Sequence, residues 1–250
     1  MTARRRLDAE LVRRQLVTSR REAADLIAAG RVLVSGSTAD KAARLVSAAE
    51  PVVVSGAPPR FVSRGGEKLA GALDAFGIDP TGWRVLDAGA STGGFSDCML
   101  QAGVAAVVAL DVGHGQLHPK LRDDPRVTVI ERFNVRKVSP DDIGGPVDAV
   151  VADLSFISLT VVLPALLGVL RPGGDLIVLV KPQFEAGRAE VAKGRGVITD
   201  PEVHRRVRGA IDEALRNLHA DVRGWITSPL RGADGNVEFL VHARAPGELP

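Results

Sequence analysis

The stretch Val85-Leu-Asp-Ala-Gly-Ala-Ser-Thr-Gly-Gly-Phe95 decides the fold. An apolar run ending in an acid passes into a glycine-rich turn and then into a helix. Gly89, Gly93 and Gly94 permit positive φ and close approach of backbone to a ligand. The turn falls at the carboxyl end of a first strand, where open α/β sheets bind ligands. A dinucleotide fingerprint needs glycines at its first, third and sixth positions. Counted from Gly89, the third position is Ser91 and the sixth is Gly94, so the middle glycine is missing and a pyrophosphate has less room. Working outward, strands are expected at Arg84–Leu86, Ala105–Leu110, Val127–Ile130, Ala149–Ala152, Asp175–Val180 and Glu238–Ala243. Helices fit Glu67–Phe76, Phe95–Ala102, Leu159–Leu170 and Pro201–Leu218, the last with Asp200 as N-cap and Pro201 at its first position. Such alternation predicts an α/β fold, a Rossmann-like, mainly parallel sheet with helices on both faces.

Two acids sharpen the reading of the turn. Asp87 closes the first strand and Asp111 the second. A carboxylate at Asp111 can accept hydrogen bonds from both hydroxyls of a ribose. An acid at Asp87 is the mark of methyltransferases that use S-adenosylmethionine (SAM), which favours that cofactor over a nicotinamide or a bare turn. The expected cofactor contacts are Asp87, Gly89, Ser91, Thr92, Gly93, Gly94, Phe95, Asp111 and Asp153. Asn134, just past the third strand, is placed to meet an adenine or simply to make a turn.

Composition excludes several classes. The chain has 250 residues, 45% of them hydrophobic, enough for a buried core. One cysteine, Cys98, rules out a disulfide framework and a multi-cysteine metal site, and fits a reducing compartment. No metal is expected, since His114 and His118 have ligand-like spacing but glycines and Pro119 around them. With 4% aromatics and no Tyr, a module that reads bases by stacking them on aromatic side chains is disfavoured. The most apolar run, Ile157–Leu170, is too short and broken to span a bilayer, and no secretory signal is visible, so a cytoplasmic protein without membrane contact is expected.

The first 60 residues carry 11 Lys and Arg against 6 Asp and Glu, whereas the remainder is slightly acidic. A small α+β domain at 1–58, a linker at 59–64 and a large domain at 65–250 are expected. Leu7, Leu11 and Leu16 can line one helix. Ser19 and Glu22 form a capping box for a second, whose apolar face is Ala23, Leu26 and Ile27. Val32–Val34 and Val52–Val54 read as strands. Arg4, Arg5, Arg6, Arg13, Arg14, Arg20 and Arg21 suit phosphate better than a merely solvated face, because few acids lie among them. Arg6-Leu-Asp8, Ser19-Arg-Arg-Glu-Ala-Ala24 and Ile27-Ala-Ala-Gly-Arg-Val-Leu-Val34 resemble the small RNA-binding module of a small-subunit ribosomal protein and of pseudouridine synthases. The resemblance implies binding to structured RNA.

Four charged residues fall at strand ends or a helix start on the ligand side: Lys68, Asp153, Lys181 and Glu238. Methyl transfer to an alcohol needs alignment and removal of a proton. A lysine can do this if its amine loses its proton, which arginine does not. Only six of the 32 basic residues are lysine, and two of them stand here. The large part is similar to the FtsJ-type ribose 2′-O-methyltransferases, whose Lys-Asp-Lys-Glu tetrad falls on these residues. The whole chain resembles the TlyA family. Ser63-Arg-Gly-Gly-Glu-Lys-Leu69, Asp111-Val-Gly-His-Gly-Gln-Leu117, Asp153-Leu-Ser-Phe-Ile-Ser-Leu159, Lys181-Pro-Gln-Phe-Glu185 and Gly235-Asn-Val-Glu238 carry it. That resemblance implies 2′-O-methylation of ribosomal RNA, typically at cytidine, on ribosomal subunits, and accounts for the haemolysin label of some members. It casts Lys181 as base, Asp153 as its holder, Lys68 as a positive charge facing the developing alkoxide and Glu238 as the holder of Lys68. Arg64 is expected to bind RNA phosphate. The alternatives are methylation of another RNA or of a protein, an RNA-binding ribosome factor with little activity, and a membrane-lytic protein. Oligomeric state is not legible.

Overall fold

The computed structural model describes residues 4–17, 20–56, 59–187, 190–191, 194, 196–232 and 234–247. It divides into two compact units, residues 1–59 and 60–250. The stretch 59–64 expected as a linker is therefore built into the second unit from Arg60 onward. Phe61 is buried in its core, and the Val62 amide donates to Asp97 Oδ2 at 2.8 Å.

In the first unit, β1 (Arg5–Arg6) leads into α1 (Leu7–Arg13), followed by α2 (Arg20–Ala28), β2 (Val32–Val34), β3 (Ser37–Thr38), β4 (Leu45–Val46) and β5 (Val52–Val54). Strands β3, β2 and β5 form one antiparallel sheet, and β1 pairs with β4. Leu7, Leu11, Ala23, Leu26, Ile27, Val32 and Val34 close the core. Leu16 does not line α1: the helix ends at Arg13, Gln15 adopts φ +58° and Leu16 is exposed. Ser19 and the Arg21 side chain lie outside the described residues.

The second unit begins with α3 (Gly65–Phe76), ended by Gly77 at φ +64°. Then follow β6 (Arg84–Ala88), α4 (Gly94–Gln101), β7 (Ala106–Leu110), α5 (Pro119–Arg122), β8 (Val127–Ile130) and β9 (Val147–Ala152). The rest is α6 (Leu159–Gly168), β10 (Leu170–Val180), α7 (Pro182–Glu185), α8 (Pro201–Asn217), β11 (Asp221–Thr227) and β12 (Phe239–Arg244). The seven strands run in the order β11-β12-β10-β9-β6-β7-β8, with β12 antiparallel to both neighbours. Strand residues alternate between two cores. Val85, Val107, Val151 and Ile177 face α3 and α4, whereas Leu86, Val108, Val150 and Val178 face α6 and α8. Val203, Val207, Ile211 and Leu215, spaced by four, give α8 its buried stripe. Strand β11 has no counterpart among the expected strands. It is an edge strand with a register shift at Val222/Gly224 and polar residues at Asp221 and Arg223, so its apolar alternation is broken.

Candidate active site

The strand order reverses between β6 and β9, and the ends of these strands and of β10 carry the charged residues. Gly89, at φ +83°, brings β6 against β9: a Cβ there would lie 2.8 Å from the Asp153 carbonyl oxygen. Gly93 is also left-handed, and a Cβ on it would strike Leu121. Gly94 is not left-handed, and its missing side chain makes room for Ser63. The positive φ expected of the three is thus found at Gly89 and Gly93 and not at Gly94, and all three also clear space for protein atoms.

Asp111 is occupied within the protein. Its Oδ2 accepts from the Ser91 amide at 2.8 Å and its Oδ1 from the Gly113 amide at 2.6 Å, which fixes Ser91 at φ +48°. Beside it lies a small pocket lined by Ser91, Asp111, Gly113, Gln116, Val129 and Glu131. Glu131 is held below the usual carboxylate range, first by Arg122. Asn134 is exposed and caps the turn at Val135–Lys137 through its side-chain oxygen. Thr92 accepts from the His118 amide through its backbone carbonyl. Phe95, on the first turn of α4, is buried in the core that this helix and α3 form with the sheet.

Asp87 is a buried acid of the site, 1% exposed. Its Oδ2 accepts from Ser96 Oγ at 2.6 Å, while Oδ1 has no partner among the described residues. Burial pushes its carboxyl up to about 7. The Ser96 hydrogen bond opposes the rise, and the charges of Asp153 and Asp111 add to it. An orphaned buried carboxylate oxygen beside two further acids suits a ligand bearing positive charge.

Four further charges make two ion pairs. Lys68, on the second turn of α3, donates to Glu238 Oε2 at 2.5 Å, and both are buried. Gly232 lies close against this pair: a Cβ there would lie 2.6 Å from Glu238 Oε1 and would push that carboxylate aside. Lys181 follows β10, and its Nζ lies 2.6 Å from Asp153 Oδ1, at angles other than those of a hydrogen bond. The same Nζ donates to Ser155 Oγ at 2.9 Å. Because Val180 pairs with Phe239 and Val178 with Ala152, Lys181, Glu238 and Asp153 emerge from three adjacent strands at one edge.

Sequence reasoning missed the groups that fasten this edge. Glu185 accepts from Ser158 Oγ at 2.6 Å and from the Leu159 amide at 2.8 Å, tying the Lys181 segment to the loop after Asp153. Burial raises its carboxyl, opposed by those bonds. Phe156, at φ +64° and 91% exposed, stands 5.1 Å from the Phe184 ring. Ser155, Phe156, Phe184 and Glu185 all lie inside strings quoted above, but pairing and φ are not visible in a string.

The basic first unit is more self-neutralised than expected. Arg6 and Arg20 both pair with buried Asp8, and Arg13 and Arg14 with buried Glu10. Arg14 also donates to the carbonyls of Ser47, Ala48 and Glu50, so it is a structural residue. Arg6, Arg13 and Arg20 keep about half their side-chain surface exposed, and Arg4 and Arg5 are exposed. Arg64 is exposed beside α3 and donates to the Arg231 carbonyl. His114 pairs with Glu131 and His118 caps α5. Among the described residues no group of three or more possible metal ligands occurs, and no helix is long and apolar enough to cross a membrane.

Residues 61–245 match the FtsJ-like methyltransferase family and residues 5–52 the S4 domain. The chain belongs to the FtsJ-like methyltransferase family. Within it, the chain is a TlyA-type member, with an S4 unit in front of the FtsJ-like unit. It is 51% identical over 245 residues to the 16S/23S rRNA (cytidine-2′-O)-methyltransferase TlyA of Mycobacterium tuberculosis, covering 98% of this chain and 91% of the relative. It is 40% identical to Hemolysin A of Brachyspira hyodysenteriae, over 95% of this chain and 98% of that one. A solved structure from Streptococcus thermophilus, provisionally named a hemolysin, superposes with TM-score 0.78 at 37% identity, covering 100% of this chain and 93% of the other.

Proposed function

We propose that this protein is a cytoplasmic enzyme that methylates the ribose 2′-hydroxyl of cytidine in ribosomal RNA within ribosomal subunits, with SAM as cofactor. The observation that carries this reading is the convergence of Lys68–Glu238 and Lys181–Asp153 at one sheet edge beside buried Asp87. SAM, when bound, supplies an electrophilic methyl group on a sulfonium. The FtsJ-like unit fits it: Asp87 and Asp153 offer negative charge, and the pocket beside Asp111 offers Ser91, Gln116 and Glu131 to a nucleoside.

Lys181 is the base. Its amine, once it has given a proton to solvent, takes the proton of the 2′-hydroxyl onto Nζ as the oxygen becomes nucleophilic. Asp153 and Ser155 fix Nζ in place. Lys68, held by Glu238, contributes positive potential toward the developing alkoxide. Exposed Phe156 beside Phe184 offers a stacking face for an unpaired base. Arg4, Arg5, Arg6, Arg13 and Arg20 of the S4 unit, and Arg64 of the FtsJ-like unit, meet RNA phosphates.

Incubation with labelled SAM and purified ribosomal subunits, followed by mass-spectrometric mapping of ribose methyls, tests the function. Wild type should deposit a 2′-O-methyl on cytidine. Lys181→Ala should bind SAM normally and deposit none; substantial residual methylation by that variant removes Lys181 from the role of base.

A further inference from the structure

We propose that Arg231, together with Arg64, clamps the phosphate on the 3′ side of the nucleotide being methylated. This inference rests on the RNA reading above and adds to it a residue of the reaction site itself.

Arg64 is the N-cap of α3 and Lys68 follows four residues later, so the two side chains rise on the same helix face. The Arg64 guanidinium donates to the Arg231 carbonyl at 3.2 Å, and Arg231 Nη1 donates to the Gly235 carbonyl at 3.1 Å. The next residue, Gly232, lies against Glu238, the partner of Lys68. Two exposed arginines therefore flank the buried Lys68–Glu238 pair.

Neither makes an ion pair among the described residues. Most arginines of this unit that reach a neighbour reach a carboxylate, as Arg122, Arg126, Arg171, Arg206, Arg223 and Arg244 do. Among the described residues Arg64 and Arg231, like Arg84 and Arg216, hydrogen-bond only carbonyl oxygens, and of these four Arg64 and Arg231 flank the Lys68–Glu238 pair. Arg64 is anchored on the Arg231 backbone and Arg231 on Gly235, so both are held beside the pair with donors to spare for a charge-assisted bond to an anion.

The ligand chemistry follows from the substrate. A ribose 2′-hydroxyl is on the carbon next to the one whose oxygen bears the 3′-phosphate. A hydroxyl presented to Lys181 therefore brings a phosphodiester close to the neighbouring Lys68–Glu238 pair. That phosphate disfavours loss of the hydroxyl proton, and a guanidinium fork on it offsets the charge and fixes the sugar.

The test uses the full chain and ribosomal subunits and follows binding and kcat/KM against salt. Arg231→Gln keeps a donor for the Gly235 carbonyl and removes the charge, so it separates the clamp from support of the loop. It should raise KM for the subunit about tenfold and make the log–log salt slope shallower by about 0.7–0.9, with SAM affinity and melting temperature unchanged. Arg231→Lys should restore the slope. A double variant with Arg64→Gln should lose less than the two single losses combined, because both hold one phosphate. Unchanged slope and KM in Arg231→Gln overturns the clamp, as does a fall in kcat alone with the slope intact. A wild type that neither binds nor methylates subunits overturns the RNA reading instead.

Discussion

Replacing Asp87 by Asn should change how stability of the FtsJ-like unit depends on pH, and the size of the change follows from burial. Asp87 is enclosed, with one oxygen satisfied by Ser96 and the other unpartnered. Its carboxyl is raised from the ordinary 3.8 to about 7, chiefly by burial. A raised acid binds its proton more tightly folded than unfolded. The contribution of this group to stability is therefore greatest below about pH 4, falls as pH rises through the window between the two values, and stays low above about 7. Each pH unit in that window is worth about 1.4 kcal/mol, so the total is about 4 kcal/mol. Asn has no proton to lose and can still accept from Ser96. The stability of Asp87→Asn minus that of wild type should thus grow by about 4 kcal/mol between pH 4 and pH 8. The assay is urea unfolding without SAM, followed by fluorescence. Both tryptophans, Trp83 and Trp225, lie in the FtsJ-like unit, so the signal reports that unit. Parallel pH curves for the two proteins, or a wild type gaining stability relative to the variant between pH 5 and 7, would refute the argument that desolvation governs this acid.

Glu238→Ala leaves Lys68 buried without its partner and should cost about 3–5 kcal/mol in urea unfolding; joint replacement by Lys68→Met and Glu238→Leu should recover much of the stability but no methyl transfer. Gly89→Ala forces a Cβ to within 2.8 Å of the Asp153 carbonyl at a left-handed φ, and should lower stability by about 2 kcal/mol or more and weaken SAM binding by calorimetry. Glu185→Ala should lower kcat by loosening the Lys181 segment from the loop after Asp153, and Glu185→Gln, which still accepts from Leu159, should restore most of it in steady-state assays. In the S4 unit, Asp8 and Glu10 are both held down to about 2, Asp8 first by Arg6 and Glu10 first by Arg13. Depressed acids stabilise above their ordinary values, so this contribution should be lost as pH falls from about 4.5 toward 2; acid titration by circular dichroism should show the loss flattened in Asp8→Asn/Glu10→Gln.

The local grammar of this protein was readable without coordinates. An apolar run, a glycine turn and a helix start are consecutive, so Val85–Phe95 announced its strand, turn and helix by itself. Lys68, Asp153, Lys181 and Glu238 stood out because each follows or precedes a periodic segment, and segment ends are where open sheets bind ligands. Strand β11 escaped because an edge strand needs no apolar alternation, and its bulge at Gly224 broke what there was.

Partnership was decided only in three dimensions. Lys68 and Glu238 are 170 residues apart and meet because α3 and β12 pack at one end of the sheet. Nothing in the string of arginines near the start revealed that two buried acids would neutralise four of them, or that Arg64 and Arg231 would be left without an acid. The glycines of the turn were legible as glycines, but that they admit Asp153, Leu121 and Ser63 depends on neighbours brought by the fold. The charge of a residue is written in its side chain. Its cost, as at Asp87, is set by how much water the tertiary structure removes and which groups take water's place.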